Sequence, residues 1–260
     1  MAGTPDRQFW DSYASGIASV PSFLVAFAER ALAEARLSAG SKVLDIATGS
    51  GTMAVVAARA GFDVTATDFS FAMVERVASY GIANIESLVM NGQAMDLPDA
   101  SFDAVFSMFG VTLFDDWQSG LREMARVVRP GGTATIGTWA LPGGAAGSRL
   151  LYELCKELFP WVAEPATMPG LVEMRDPVRL HNAMASVGFA DVRVVEDTQP
   201  ANIGVEEFDD PDRLFTFNSQ WQQLGSEERA NALSVIESRR TTAGTYTVPS
   251  TALIATAQRL

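Results

Sequence analysis

Two aspartates and a pair of glycines carry the chemistry that stands out in this chain. In Val43-Leu44-Asp45-Ile46-Ala47-Thr48-Gly49-Ser50-Gly51 an apolar run passes through an acid and turns through two glycines into a segment of helical spacing. Glycine tolerates positive φ and close backbone approach, so a ligand can rest against such a loop and the first N–H groups of the helix behind it. With Ala54, Gly49-x-Gly51 also fits the alanine variant of a dinucleotide fingerprint, and a plain strand-to-helix turn has the same look. The acids narrow the choice. Asp45, beside the loop, opposes a pyrophosphate and favours a ligand that carries an ammonium and a sulfonium. Asp68 closes the next apolar run, where a carboxylate can accept both hydroxyl protons of a ribose; nicotinamide enzymes use the same device, so Asp68 does not discriminate. Ser70 is better placed than Asp68 to cap the helix that follows.

A scaffold must bring these residues together. Apolar residues at three- and four-residue spacing (Phe23, Leu24, Phe27, Ala31, Leu32) predict a helix within 20–37. Five short apolar runs follow, at 42–47, 62–67, 84–90, 102–109 and 133–139, each ended by turn residues, and they read as buried parallel strands. Helical segments at 52–60, 71–80 and 116–128 separate them, and this alternation predicts an α/β fold with a doubly wound sheet. After Trp139 the pattern breaks at Pro142, Gly143, Gly144 and Gly147; a helix at 149–159 and a Pro-rich stretch through Pro169 and Gly170 follow. Helices are expected at 177–187, 211–224 and 226–239, with strands at 189–197 and 251–258. The last strand follows a turn-rich stretch instead of a crossover helix, so it should return antiparallel beside the strand from Phe189.

With the elements in order, the chain resembles the class I S-adenosylmethionine-dependent methyltransferases, near the branch of ubiquinone and menaquinone biosynthesis and natural-product enzymes. The resemblance runs from Lys42 to Trp139 and rests on four motifs: 45–51; Thr67-Asp68-Phe69-Ser70; Asn91-Gly92-Gln93-Ala94-Met95-Asp96-Leu97-Pro98; and Glu123-Met124-Ala125-Arg126-Val127-Val128-Arg129-Pro130-Gly131-Gly132. It implies a seven-stranded, mostly parallel Rossmann-like sheet, with S-adenosyl-L-methionine as cofactor and S-adenosyl-L-homocysteine as product. It also implies a cofactor site formed by Tyr13, Asp45, Ala47, Thr48, Gly49, Gly51, Asp68, Phe69, Met73, Gly92, Gln93, Ala94, Ser107 and Met108. In that site Tyr13 would reach the cofactor's carboxylate, Trp10 would wall the entrance, and Ser107 and Met108 would border the methionine part. Two positions depart from the family. Ala47 replaces a glycine, which a negative φ would accommodate, and Gln93 replaces an aspartate, with its amide oxygen able to accept from adenine and the Ala94 N–H facing the ring.

Three regions follow: a helical N-terminal segment (1–41), a cofactor-binding core (42–139), and a stretch that completes the sheet and inserts a helical lid (140–260). The lid should comprise 141–174 and 205–240. Trp139, Leu141, Trp161, Met168, Met174, Phe215, Phe217 and Trp221 are its candidates for meeting a planar or apolar acceptor, with ordinary packing the competing explanation. No catalytic residue can be named, because an activated methyl needs alignment and desolvation before it needs a protein nucleophile. The only histidine, His181, lies in a helix remote from the expected cofactor mouth, and Cys155 sits among Leu151, Leu154 and Leu158 as a core thiol.

Composition bounds the partners. The net charge is −12 and the lysines are Lys42 and Lys156, which disfavours nucleic acid and anionic lipid and favours a small-molecule acceptor. No apolar run is long enough for a membrane span and no basic leader precedes an apolar segment, so a cytoplasmic location is expected. No metal-ligand cluster is visible, and the oligomeric state is not legible. Two other readings stay open: a non-catalytic protein that binds S-adenosylmethionine as a sensor or scaffold, and a nicotinamide oxidoreductase.

Overall fold

A computed structural model describes residues 6–15, 22–140, 146–162, 168–216, 218–239 and 245–260. Helix α1 (Arg7–Ser15) starts where Asp6 accepts from the Phe9 N–H at 2.9 Å. Helix α2 (Ser22–Ala35) buries Phe23, Phe27, Ala31 and Ala35 along one face, as their spacing predicts. The alternating part comprises β1 (Lys42–Ile46), α3 (Thr52–Arg59), β2 (Asp63–Asp68), α4 (Phe71–Ser79), β3 (Ile85–Val89) and β4 (Phe102–Met108). A 3₁₀ turn (Val111–Leu113), α5 (Trp117–Val127) and β5 (Val128–Trp139) complete it. Then come α6 (Ala146–Leu158), α7 (Pro169–Met174), α8 (Pro177–Ala185), β6 (Phe189–Gly204), α9 (Pro211–Leu214), α10 (Ser219–Gln223), α11 (Ser226–Ser238) and β7 (Thr245–Arg259).

The seven strands form one sheet in the order β3-β2-β1-β4-β5-β7-β6. β1 pairs in parallel with β2 and β4, β2 with β3, and β4 with β5. β7 runs the other way. Thr198 and Asn202 of β6 meet Thr251 and Thr247 of β7, so one number rises as the other falls. The same inversion relates Thr135 and Ala140 at β5 to Thr256 and Thr251. The expected antiparallel return is therefore observed, and the strands are longer than expected. β6 continues through Pro200, tolerated because β6 is an edge strand.

Three local differences have physical causes. The helix expected at 211–224 is two short helices, since Asn218 accepts from the Gln220 N–H at 2.8 Å and starts a new N-terminus. The stretch expected as a Pro-rich loop contains α7, whose Pro169 occupies the first turn, where a missing N–H costs nothing. Between Val128 and Thr133, which face Phe102 and Ala104 of β4, residues 129–132 form an irregularity that Gly131 enables with φ +72°.

By its contacts the chain divides into two compact units. The larger holds Gly3–Thr138, Met168–Asp197 and Ala252–Leu260. Its core includes Val43, Met53, Ala57, Val64, Val77, Phe106 and Ile254, and Gly170 of α7 lies so close to the Thr112 carbonyl that a Cβ would stand 2.6 Å from it. The smaller holds Trp139–Thr167 and Thr198–Thr251. There the buried Phe215 and Trp221 rings lie 4.8 Å apart, the Trp221 indole donates to Asp212 at 2.6 Å, and Arg229 sits 4.9 Å above its ring. Among the described residues, no helix is long and apolar enough to cross a membrane.

Candidate functional site

The chain winds outward from β1 to β2 and β3 and then crosses back to β4, so the sheet order reverses between β1 and β4. Such a switch point leaves a crevice at the carboxyl ends of the strands, where ligands of open α/β sheets bind. Both strands bordering it end under strain: Ala47 after β1 has φ +54° and Phe109 after β4 has φ +63°. Non-glycine residues in this region persist where their surroundings over-determine them, commonly at ligand sites. The expected negative φ at Ala47 is thus overturned. The loop keeps the backbone a glycine would adopt, and Gly110 makes room for the extra methyl, since a Cβ at 110 would stand 2.5 Å from Ala47 Cβ.

Asp45 organises the glycine loop from beneath. It is 1% exposed, and its Oδ2 accepts from the Thr48 hydroxyl at 2.6 Å and from the Ala54 N–H in α3 at 3.1 Å. Burial pushes its carboxyl up to about 7; the two hydrogen bonds oppose this, and nearby Asp68 adds to it. Thr48 donates its own N–H to the Thr67 carbonyl of the neighbouring strand at 2.9 Å. Gly49 has φ +52° and open space where a Cβ would point, whereas Gly51, at φ +82°, would drive a Cβ to 2.8 Å from Val77. One glycine leaves room above the loop and the other permits close helix packing.

Asp68 closes β2. One oxygen accepts from the Gly49 N–H and the other from the Ser70 N–H, each at 2.9 Å. Burial raises its carboxyl above the usual range, against the pull of those amides. Each oxygen retains a lone-pair direction, the chemistry a pair of ribose hydroxyls requires. Ser70 caps α4 as expected, accepting from the Met73 N–H at 3.2 Å. Phe69 is half-buried beside Asp68, and the Met73 side chain is buried.

In the loop after β3, Gly92 is packed where a Cβ would stand 2.6 Å from Phe114 and 2.8 Å from Ile46. The Gln93 amide oxygen accepts from the Asp116 N–H at 2.7 Å, and the exposed Ala94 donates its N–H to the Asn91 carbonyl at 3.0 Å. These groups brace the loop against the start of α5. Ser107 is fully buried; its hydroxyl donates to the Ile46 carbonyl at 3.0 Å and accepts from the Val111 N–H at 2.9 Å, joining the ends of β1 and β4. Met108 lies over Gly137 of β5, leaving no space for a Cβ there. Tyr13 belongs to an aromatic group on α1, 5.8 Å from Trp10 and 6.1 Å from Phe9 between ring centres.

Two groups of residues had no assigned role in the sequence. Glu123 accepts from the Met95 N–H at 2.6 Å, while Arg126 donates to the Met95 carbonyl at 2.9 Å, the Leu97 carbonyl at 2.6 Å and Asp99 at 2.7 Å. Their signal was present as an acid and a base three residues apart on one helix face within the fourth motif. Asp11 contacts the α4 terminus from 59 residues away, and nothing local announces it. Of the acceptor candidates, Phe215, Trp221 and Met174 are buried, Trp161 is 61% exposed, and Leu141 and Phe217 lie outside the described residues.

Comparison with known proteins agrees with this geometry. The family described as a methyltransferase domain matches residues 44–136. A demethylmenaquinone methyltransferase of Corynebacterium efficiens is 37% identical over 127 residues, 49% of this chain and 54% of that protein. One from Mycolicibacterium gilvum is 33% identical over 179 residues, 64% of this chain and 76% of that protein. The YcgJ protein of Bacillus subtilis shares the fold, with a TM-score of 0.60 at 18% identity, covering 92% of this chain and 99% of that one. The chain spans about half the length of the first of these relatives. It belongs to the class I S-adenosylmethionine-dependent methyltransferases.

Proposed function

We propose that the chain transfers a methyl group from S-adenosylmethionine to a nucleophilic atom, oxygen before nitrogen or carbon, of a small planar or apolar acceptor. The observation that carries the reading is Asp68. It stands at the end of β2 with its two oxygens already fixed by the Gly49 and Ser70 amides, beside a glycine loop open above Gly49. When bound, the cofactor supplies a methyl already activated on a positively charged sulfur. The protein's part is to hold it and exclude water. In this reading Asp68 accepts the ribose hydroxyl protons, Thr48, Gly49 and Gly51 shape the loop beneath the amino-acid part, and Asp45 fixes that loop through the Thr48 hydroxyl and the Ala54 N–H. Gly92 offers backbone to the adenine, while Ala94, whose N–H is taken by the Asn91 carbonyl and so does not face the ring as expected, shapes the loop; Phe69 and Met73 give the adenine its apolar border, and Met108 the border of the methionine chain. Gln93 and Ser107 act one step back by bracing the loop and the strand ends. Tyr13, on α1, is assigned to the cofactor's carboxylate.

The names of the relatives make reduced quinones and phenols the first acceptors to try. Incubation with methyl-labelled S-adenosylmethionine and a panel of quinols, phenols, amines and carboxylic acids should give one class that takes up label. Tight binding of the cofactor with no label in any class would support a sensor instead and overturn the proposal.

A further inference from the structure

Helix α1 contributes to none of the four motifs, yet it reaches the turn that holds Asp68. Asp11 Oδ1 accepts from the Ser70 hydroxyl at 2.5 Å and from the Ala72 N–H at 3.2 Å. Ser70 is fully buried. Its oxygen accepts from the Met73 N–H, and its own N–H donates to Asp68. The serine hydroxyl has one proton to give, and Asp11 is its acceptor. These bonds hold the Asp11 carboxyl below the usual carboxylate range, the Ser70 bond contributing most.

The consequence is a chain of fixed groups from α1 to the ribose acid. If the Asp11 acceptor is removed, a buried hydroxyl loses its partner and the Ala72 N–H in the first turn of α4 loses its side-chain acceptor. The Ser70 rotamer is then free to change, and with it the amide that orients Asp68. We propose that Asp11 is a positioning residue for the cofactor's ribose, acting through Ser70 on Asp68. This rests on the reading that Asp68 receives the ribose.

The test compares Asp11→Ala, Asp11→Asn and, as a control on the same helix, Gln8→Ala. S-adenosylhomocysteine and adenosine binding are read by calorimetry, and exchange at the Ser70 and Ala72 amides by mass spectrometry. Asp11→Ala should weaken both ligands about five- to tenfold and speed exchange at those amides. Asp11→Asn, whose amide oxygen can accept from both donors, should recover most of the affinity, and Gln8→Ala should match the parent chain. Parent-like affinity in Asp11→Ala overturns the inference. So does an Asp11→Asn variant that is folded and as weak as the alanine variant, and this arm decides the matter if Asp11→Ala fails to fold. A parent chain that binds neither ligand, or an Asp68→Asn variant that binds as tightly as the parent, would instead remove the reading on which the inference rests.

Discussion

Replacing Asp45 with asparagine should change how stability depends on pH, in a direction the burial of this residue fixes. The carboxyl is 1% exposed and its pKa is pushed up to about 7 by desolvation, from an ordinary 3.8. Between those values the folded chain keeps a proton that the unfolded chain has lost. Stability associated with this group is therefore fully present below about pH 4 and is lost as pH rises through about 7. Each tenfold change in proton affinity corresponds to about 1.4 kcal/mol, so the loss is on the order of 4 kcal/mol. Asparagine is neutral throughout and keeps an oxygen for the Thr48 hydroxyl and the Ala54 N–H. Carboxyls held low in the fold, such as Asp103 and Glu123, have the opposite dependence, but they cancel when the two proteins are compared. Urea unfolding of the ligand-free proteins at pH 4.5 and pH 8 should show Asp45→Asn gaining on the parent at the higher pH. A difference that stays constant between the two pH values would mean that the fold does not raise the Asp45 carboxyl.

Two further substitutions probe the loops. Ala47→Gly should raise stability by about 1 kcal/mol, since alanine at φ +54° carries a steric cost that glycine does not; a lower thermal midpoint for the glycine variant would contradict this. Arg126→Ala should weaken S-adenosylhomocysteine by about 1–2 kcal/mol and speed exchange from Met95 to Asp99, because three acceptors in that loop lose their donor. Arg126→Lys should not restore binding, as an ammonium lacks the planar fork that reaches several acceptors at once; full recovery in the lysine variant would show that charge alone suffices.

The sheet was legible because β1, β2 and β4 are buried on both faces and therefore appear as short, unbroken apolar runs between turn residues. The turn after β1 was legible for a related reason: glycines between an apolar run and a helical segment mark a tight turn, and Gly49 and Gly51 both take positive φ there. The ribbon extending β6 and β7 was missed because Thr198, Gln199 and Pro200 break the apolar pattern at an edge, where solvent can satisfy the backbone. The division between α9 and α10 was missed because Asn218 reads equally well as an interior polar residue or a cap. Gln93, Ala94 and Ser107 illustrate a different limit. The family resemblance put them near the cofactor, Gln93 and Ala94 by their motif and Ser107 by its strand end, but their hydrogen-bond partners, Asp116, Asn91, Ile46 and Val111, depend on how β1, β4 and α5 meet in space. Asp11 shows the limit at its fullest, since its partner Ser70 is 59 residues away.

On the proposed reading, the switch point between β1 and β4 holds S-adenosylmethionine, with Asp68 on the ribose. Calorimetric titration of S-adenosylhomocysteine into the parent chain and into Asp68→Asn tests it most directly. The asparagine keeps one acceptor for the loop amides but removes the charge. Saturable one-to-one binding to the parent is expected, with affinity about ten- to a hundredfold weaker in a folded Asp68→Asn, the loss of charge-assisted bonds to two hydroxyls. Equal affinity in the two proteins, or no binding to the parent, would contradict it.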